Sequence, residues 1–243
     1  MHTFSILAIE TSTIACSVAL FYQNTMYQRY ELLPQKHAHQ LLKMVDEVLC
    51  EAGIKGQEVD LLAYGEGPGA FTGVRIAAGV VQGLSLGWSK PVLGVSSLEA
   101  MAERVLNDFD ISCAQQADIP WCALMDARMQ EVYFQSGVFN LKTKQWLVSE
   151  ACLLKPDEIK ERIKCLPQYA IGLGDIQNIY PELSVEFVQW FDVLPSAEAV
   201  VRCVLRMDLE QIDKDEREIA LPVYLRNHVA DTIQERARKQ LNS

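Results

Sequence analysis

Short apolar runs open the chain. FSILAI (4–9) and CSVALFY (16–22) are β-rich and flank a polar turn, and TMYQRYEL (25–32) can follow as a third strand. The period changes from about His37 to Ala52, where Leu41, Val45, Val48 and Ala52, with Leu42 and Leu49 beside them, recur at helical spacing until Gly53. Strand, loop and helix then repeat through VDLLAYG, GPGAFTG and VRIAAGVVQGLSLGW. PVLGVS and a helix from about Ser97 complete this half.

The second half replays the first. WCALMDARMQEVYFQSGVF (121–139) can be laid over FSILAIETSTIACSVALFY, which puts Asp126 where Glu10 stood, each closing an apolar strand and six residues before the next strand begins. A third strand near 145–152, a helix opening at Pro156 and the strand QYAIGLGD continue the echo, and Gly172-Leu-Gly174 mirrors Gly65-Glu-Gly67. Two β-β-β-α-β units predict a pseudo-duplicated α/β fold. The polar stretch 110–120, ending in Pro120, divides a first lobe (1–109) from a second (110–229), and a tail follows (230–243). A helix from Ser196 to Met207 precedes the charge run DLEQIDKDERE, which reads as a solvated face.

Composition narrows the function. At 243 residues, 49% hydrophobic and 22% charged, the chain can bury a substantial core. A formal charge of -10 repels a phosphate backbone, so any role with nucleic acid runs through a partner. Seven scattered cysteines without a C-x-x-C pair suit reduced thiols of a cytoplasmic protein rather than a zinc or disulfide framework. The N-terminal apolar run lacks a basic start and is interrupted by Glu10 and hydroxyl residues, so neither export nor membrane insertion is expected.

Four stretches in order, LAIETS (7–12), GEGPGAFTGVRI (65–76), MDARMQEVY (125–133) and PVYLRN (222–227), resemble the TsaB (YeaZ) family over about residues 4–229. The paired strand-end acids are similar to those of the wider actin, hexokinase and Hsp70 superfamily. The resemblance implies a two-lobed actin-like ATPase (ASKHA) fold and an accessory, non-catalytic role in threonylcarbamoyl-adenosine formation in tRNA. It further implies pairing through first-lobe helices with the transferase TsaD, which carries the metal site, and assembly with the ATPase TsaE. It brings no metal and no cofactor of its own. A nucleotide would sit at an interface shared with a partner, and tRNA would be met only through the complex. Family members commonly carry Asp where this chain has Glu10.

Several candidate sites stand beside that resemblance. Gly67-Pro68-Gly69 lies between strand and helix as in a phosphate cradle, but Pro68 removes one N–H and no Walker lysine follows; Thr72 as a helix cap is the structural reading. Glu10 and Asp126 either hold Mg²⁺ through water across a cleft, as in a small-molecule kinase or ATPase, or are inherited polar ends lining that cleft. His37 and His39 fall roughly 200° apart on a helix and cannot share a metal, and neither H-E-x-x-H nor G-x-S-x-G occurs.

The most informative stretch is IAAGVVQGLSLGWS (76–89), without a charged residue between Arg75 and Lys90. Such a helix is either buried in its own domain or has a second face for a partner, with Gly79, Gly83 and Gly87 as a smooth strip. The predicted contact residues are Leu41, Leu42, Val45, Gly79, Val80, Gly83 and Leu84, with a homodimer expected when the partner is absent. Arg236, Arg238 and Lys239 near the C-terminus read as a solvated tail.

Overall fold

A computed structural model describes residues 4–33, 37–109, 116–207 and 219–226. The charge run 208–218, the C-terminal tail, His2, His228 and the side chains of His37 and His39 lie outside the described residues.

The first sheet has the order β3-β2-β1-β4-β5. Strands β1 (Ile6–Glu10), β2 (Ala15–Tyr22) and β3 (Thr25–Leu32) form an antiparallel meander, and β4 (Leu61–Gly67) and β5 (Val92–Ser96) add in parallel beside β1. Consecutive residues of β1 point to opposite faces, and both faces are covered. Leu7 and Ile9 meet α1 (His37–Ala52) and α2 (Phe71–Trp88), whereas Ile6 and Ala8 meet α6 (Ala197–Leu205). Burial on both sides explains why β1 reads as an unbroken apolar run.

The second sheet repeats the plan. β6 (Asp118–Asp126) pairs antiparallel with β7 (Val132–Asn140) and parallel with β10 (Ile171–Gly174), which pairs with β11 (Gln189–Asp192). The expected third strand is two short pieces, β8 (Trp146–Val148) and β9 (Cys152–Leu154), both on β7, and α4 (Pro156–Lys164) follows with Pro156 in its first turn. Pro120, expected to end the break between lobes, lies inside β6. It precedes Trp121, where pairing with β10 begins, so its missing N–H costs no ladder bond on that side. The short helix α5 (Pro181–Ser184) and β11 carried no strong sequence pattern.

The two units interlock. Helix α3 (Ser97–Leu106) leaves the first sheet at β5 but sends Leu98, Met101 and Leu106 into the core of the second, against Trp121, Ala123 and Leu173. Helix α6 does the converse: although it follows residue 120, Ala197, Val200, Val201 and Val204 pack on the first sheet. Each helix has a serine cap, with Ser96 Oγ accepting from Glu99 N–H and Ser196 Oγ from Ala199 N–H. Charge ties the pair together, since Arg206 reaches Glu99 at 2.7 Å and Glu103 at 3.4 Å.

Burial pushes the Cys122 thiol up to about 12 and the Cys16 thiol to about 11, as expected of small apolar core groups.

Candidate functional site

The glycine-rich joint between β4 and α2 is filled by the protein's own backbone. The place a Cβ would occupy on Gly73 is taken by the Thr11 carbonyl oxygen, and on Gly69 by Ser12. Ala70 N–H donates to the Ser12 carbonyl at 2.7 Å, and the Thr11 hydroxyl donates to the Gly73 carbonyl at 2.8 Å. These glycines let the β1–β2 turn lie directly on the start of the helix. The expected Thr72 cap is corrected: α2 begins at Phe71, and its cap residue is Ala70, which makes no side-chain bond.

Glu10 is 0% exposed. Its carboxylate accepts from Ser12 N–H at 2.5 Å and from the Ser97 hydroxyl at 2.8 Å, and Gly65 leaves the space that its Oε2 occupies. Burial raises its pKa despite these bonds. The carboxylate therefore joins three segments of the interior and does not line an open cleft. Asp126 is held separately: its side chain accepts from Arg128 N–H at 2.9 Å and pairs with the Arg128 guanidinium at 3.2 Å. Asp126 N–H donates to Asp175 Oδ1 at 3.0 Å. Burial, with Asp126 as a lesser contributor, pushes the Asp175 carboxyl up to about 6. Asp175 was not among the expected residues, because only the fold brings the end of β10 beside the end of β6.

Helix α2 shows a different kind of surface. Val74, Ala77, Ala78 and Val81 face its own sheet. Gly79, Gly83 and Gly87 lie on the exposed side, and a Cβ added at any of them would meet nothing within 4 Å among the described residues. Val80 and Leu84 are half-buried at the edge of the strip, and Leu86 is 63% exposed. On the neighbouring α1, Leu42 is 52% exposed. Leu41 and Val45 require a correction: both are buried in the first lobe's core and cannot offer their side chains to a partner. Periodicity identified their stripe, and that stripe faces the sheet.

A cleft of roughly 730 Å³ bounded by α3, α6 and β8 includes Glu99, Trp146 and Arg206. The Arg206 guanidinium lies 4.1 Å from the Trp146 ring centre and is already bonded to Glu99. Among the described residues no group of three or more His, Cys, Asp or Glu could hold a metal ion, and no helix is long and apolar enough to cross a membrane.

The sheet orders, the paired β-β-β-α-β units and the exchanged helices define a two-lobed protein of the actin-like ATPase fold. A family model described as TsaD, tRNA N6-adenosine threonylcarbamoyltransferase, matches residues 24–168. The tRNA threonylcarbamoyladenosine biosynthesis protein TsaB of Escherichia coli K12 is 35% identical over 235 residues, covering 93% of this chain and 96% of that protein. Its Haemophilus influenzae namesake is also 35% identical, covering 94% and 96%. The solved structure described as YeaZ from Pseudomonas aeruginosa is 36% identical with a TM-score of 0.75, covering 92% of this chain and all of that one. A second structure from that organism, described as similar to peptidase YeaZ, is 37% identical with a TM-score of 0.78 at the same coverage. The chain belongs to the TsaB (YeaZ) family.

Proposed function

We propose that this protein is a non-catalytic scaffold and regulatory subunit in the formation of threonylcarbamoyladenosine in tRNA. The outer face of α1 and α2 docks a TsaD-type transferase, and the ATPase TsaE joins the assembly. The protein meets tRNA only through that complex and works in the cytoplasm. Alone, it covers the same face with a second copy of itself.

The observation that carries this reading is the glycine strip. An interior helix glycine is unfavourable by about 0.5–1 kcal/mol relative to alanine. Three of the four glycines of α2, Gly79, Gly83 and Gly87, are required by no close approach among the described residues. Contact with an external backbone gives such positions a physical purpose, and Leu42, Val80, Leu84 and Leu86 supply apolar area around them. The kinase or ATPase reading needs Glu10 open to a ligand, and both of its carboxylate oxygens are engaged inside the first lobe.

Titration of a TsaD-type protein with wild-type and Gly83→Leu chains tests the proposal. Affinity should fall about ten- to a hundredfold, the equivalent of roughly 1.4 to 2.8 kcal/mol, while the free variant keeps its fold and melting temperature. A folded Gly83→Leu chain that binds like wild type would overturn it.

A further inference from the structure

Residues 219–226 have no regular secondary structure, yet they touch both lobes. On the first lobe, Ala220 N–H donates to Gln82 Oε1 at 2.8 Å, and Tyr64 Oη donates to the Leu221 carbonyl at 2.9 Å. Val223 N–H donates to the Glu66 carbonyl at 2.8 Å. Tyr224 then stands beside Phe71 with ring centres 5.7 Å apart and accepts from Arg75 Nε at 2.6 Å. Gln82, Phe71 and Arg75 all belong to α2.

Two residues further on, Arg226 is in the second lobe. Its guanidinium donates to the carbonyls of Ala127 at 3.1 Å and Arg128 at 3.2 Å and pairs with the Glu131 carboxylate. Those acceptors belong to the turn between β6 and β7, which holds Arg128, Met129 and Gln130 at φ of 62°, 55° and 60°. Three successive non-glycine residues in the left-handed region are rare, because each brings its Cβ against a carbonyl oxygen. Such a run persists only where its surroundings hold it. The turn's own bonds, from Ala127 N–H to the Glu131 carbonyl and from Glu131 N–H to the Arg128 carbonyl, supply part of that hold. Arg226 adds support from outside the turn.

We propose that the 219–226 segment is a clasp that couples α2 to the left-handed turn at 128–130. Tyr224 and Arg226 are separated by Leu225 alone, so docking of either end keeps the other at a high effective concentration over its site. Release of the Tyr224 end therefore loosens the turn, although Tyr224 is not bonded to it. Release of Arg226 likewise loosens the bonds at Ala220 and Val223.

Hydrogen–deuterium exchange on the free chain tests this coupling, with wild type compared to Tyr224→Ala and Arg226→Ala. Tyr224 is half-exposed, so its replacement spares the core. The expected result is exchange at the Arg128–Glu131 amides faster by about tenfold in Tyr224→Ala, with the reciprocal effect at Ala220 and Val223 in Arg226→Ala. Should Arg226→Ala fail to fold, Arg226→Lys keeps the charge but cannot span two carbonyls and a carboxylate, and Tyr224→Ala still reads the coupling from the other end. Variants that each speed exchange only at their own end would overturn the proposal. A further arm adds a TsaD-type protein and rests on the docking reading: exchange at 128–131 should slow. No slowing with the cross-end effect intact would count against docking on α2 and leave the clasp standing.

Discussion

The Thr11 carbonyl oxygen occupies the position that a side chain on Gly73 would need, and the Thr11 hydroxyl donates back to the Gly73 carbonyl at 2.8 Å. The two backbones are in contact, and only a residue without a Cβ allows it. Gly83, ten residues along the same helix, has no described residue within 4 Å of its Cβ position. Alanine at the two positions should therefore have opposite effects. Gly73→Ala is expected to destabilise the chain by about 1–3 kcal/mol or more through the collision. Gly83→Ala is expected to stabilise it by about 0.5–1 kcal/mol through helix propensity. Urea denaturation of both variants checks the pair, and a loss of stability in Gly83→Ala would show that this face has an intramolecular neighbour.

Glu10 makes stability depend on pH in a known direction. Its folded-state pKa is raised above the ordinary 4.5 by burial, so folding favours the protonated form. Its contribution to stability is full below about pH 4.5 and is lost as pH rises through the folded value. Glu10→Gln, which can accept from Ser12 and donate to Ser97, should melt above wild type at pH 8, with the advantage shrinking toward pH 4. Melting curves across that range decide it, and a variant markedly less stable at pH 8 would mean that the ionised carboxylate is needed.

Asp175 gives a second window. Its carboxyl lies at about 6 when folded against an ordinary value of 3.8, so the same sign applies. Stability from this group is present below about pH 4 and lost between there and about pH 6 to 7. Asp175→Asn retains an oxygen to accept from Asp126 N–H. The expected outcome is a higher melting temperature than wild type at pH 7.5 and no difference at pH 4; an unchanged gap across both would separate the effect from titration.

The α1–α2 face should also govern self-association. An apolar face left open tends to meet its own copy about a two-fold axis. The free chain is expected to be dimeric at tens of micromolar, in the range where weak dimers form. Leu86→Glu, at an exposed position, should make it monomeric without lowering its melting temperature. Light scattering reads both, and a wild-type monomer at that concentration, or a Leu86→Glu dimer, would remove the basis for this contact.

Within each unit, much of the architecture was legible because it rests on short-range patterns. Apolar runs marked β1, β2, β4 and β6, helical periodicity marked α1, serines preceded α3 and α6, and the echo of Glu10 in Asp126 exposed the duplication. Helical spacing also showed that Leu41, Val45 and Val48 share a stripe. It carried no information on whether sheet or partner covers that stripe, since any apolar surface satisfies it equally well.

The sequence by itself determined the repeated units, the uncharged stretch 76–89 with its three glycines, and the likeness to a family. Tertiary structure alone decided that α3 and α6 exchange sheets, because an amphipathic helix specifies an apolar neighbour without naming which one. It also decided that Gly73 and Gly79, two similar letters of one helix, serve opposite ends: one is closed by the Thr11 backbone and the other is open to solvent. The clasp from Tyr224 to Arg226 was invisible for the same reason, since its bonds join residues about 100 to 150 positions apart and leave no periodic trace in the chain.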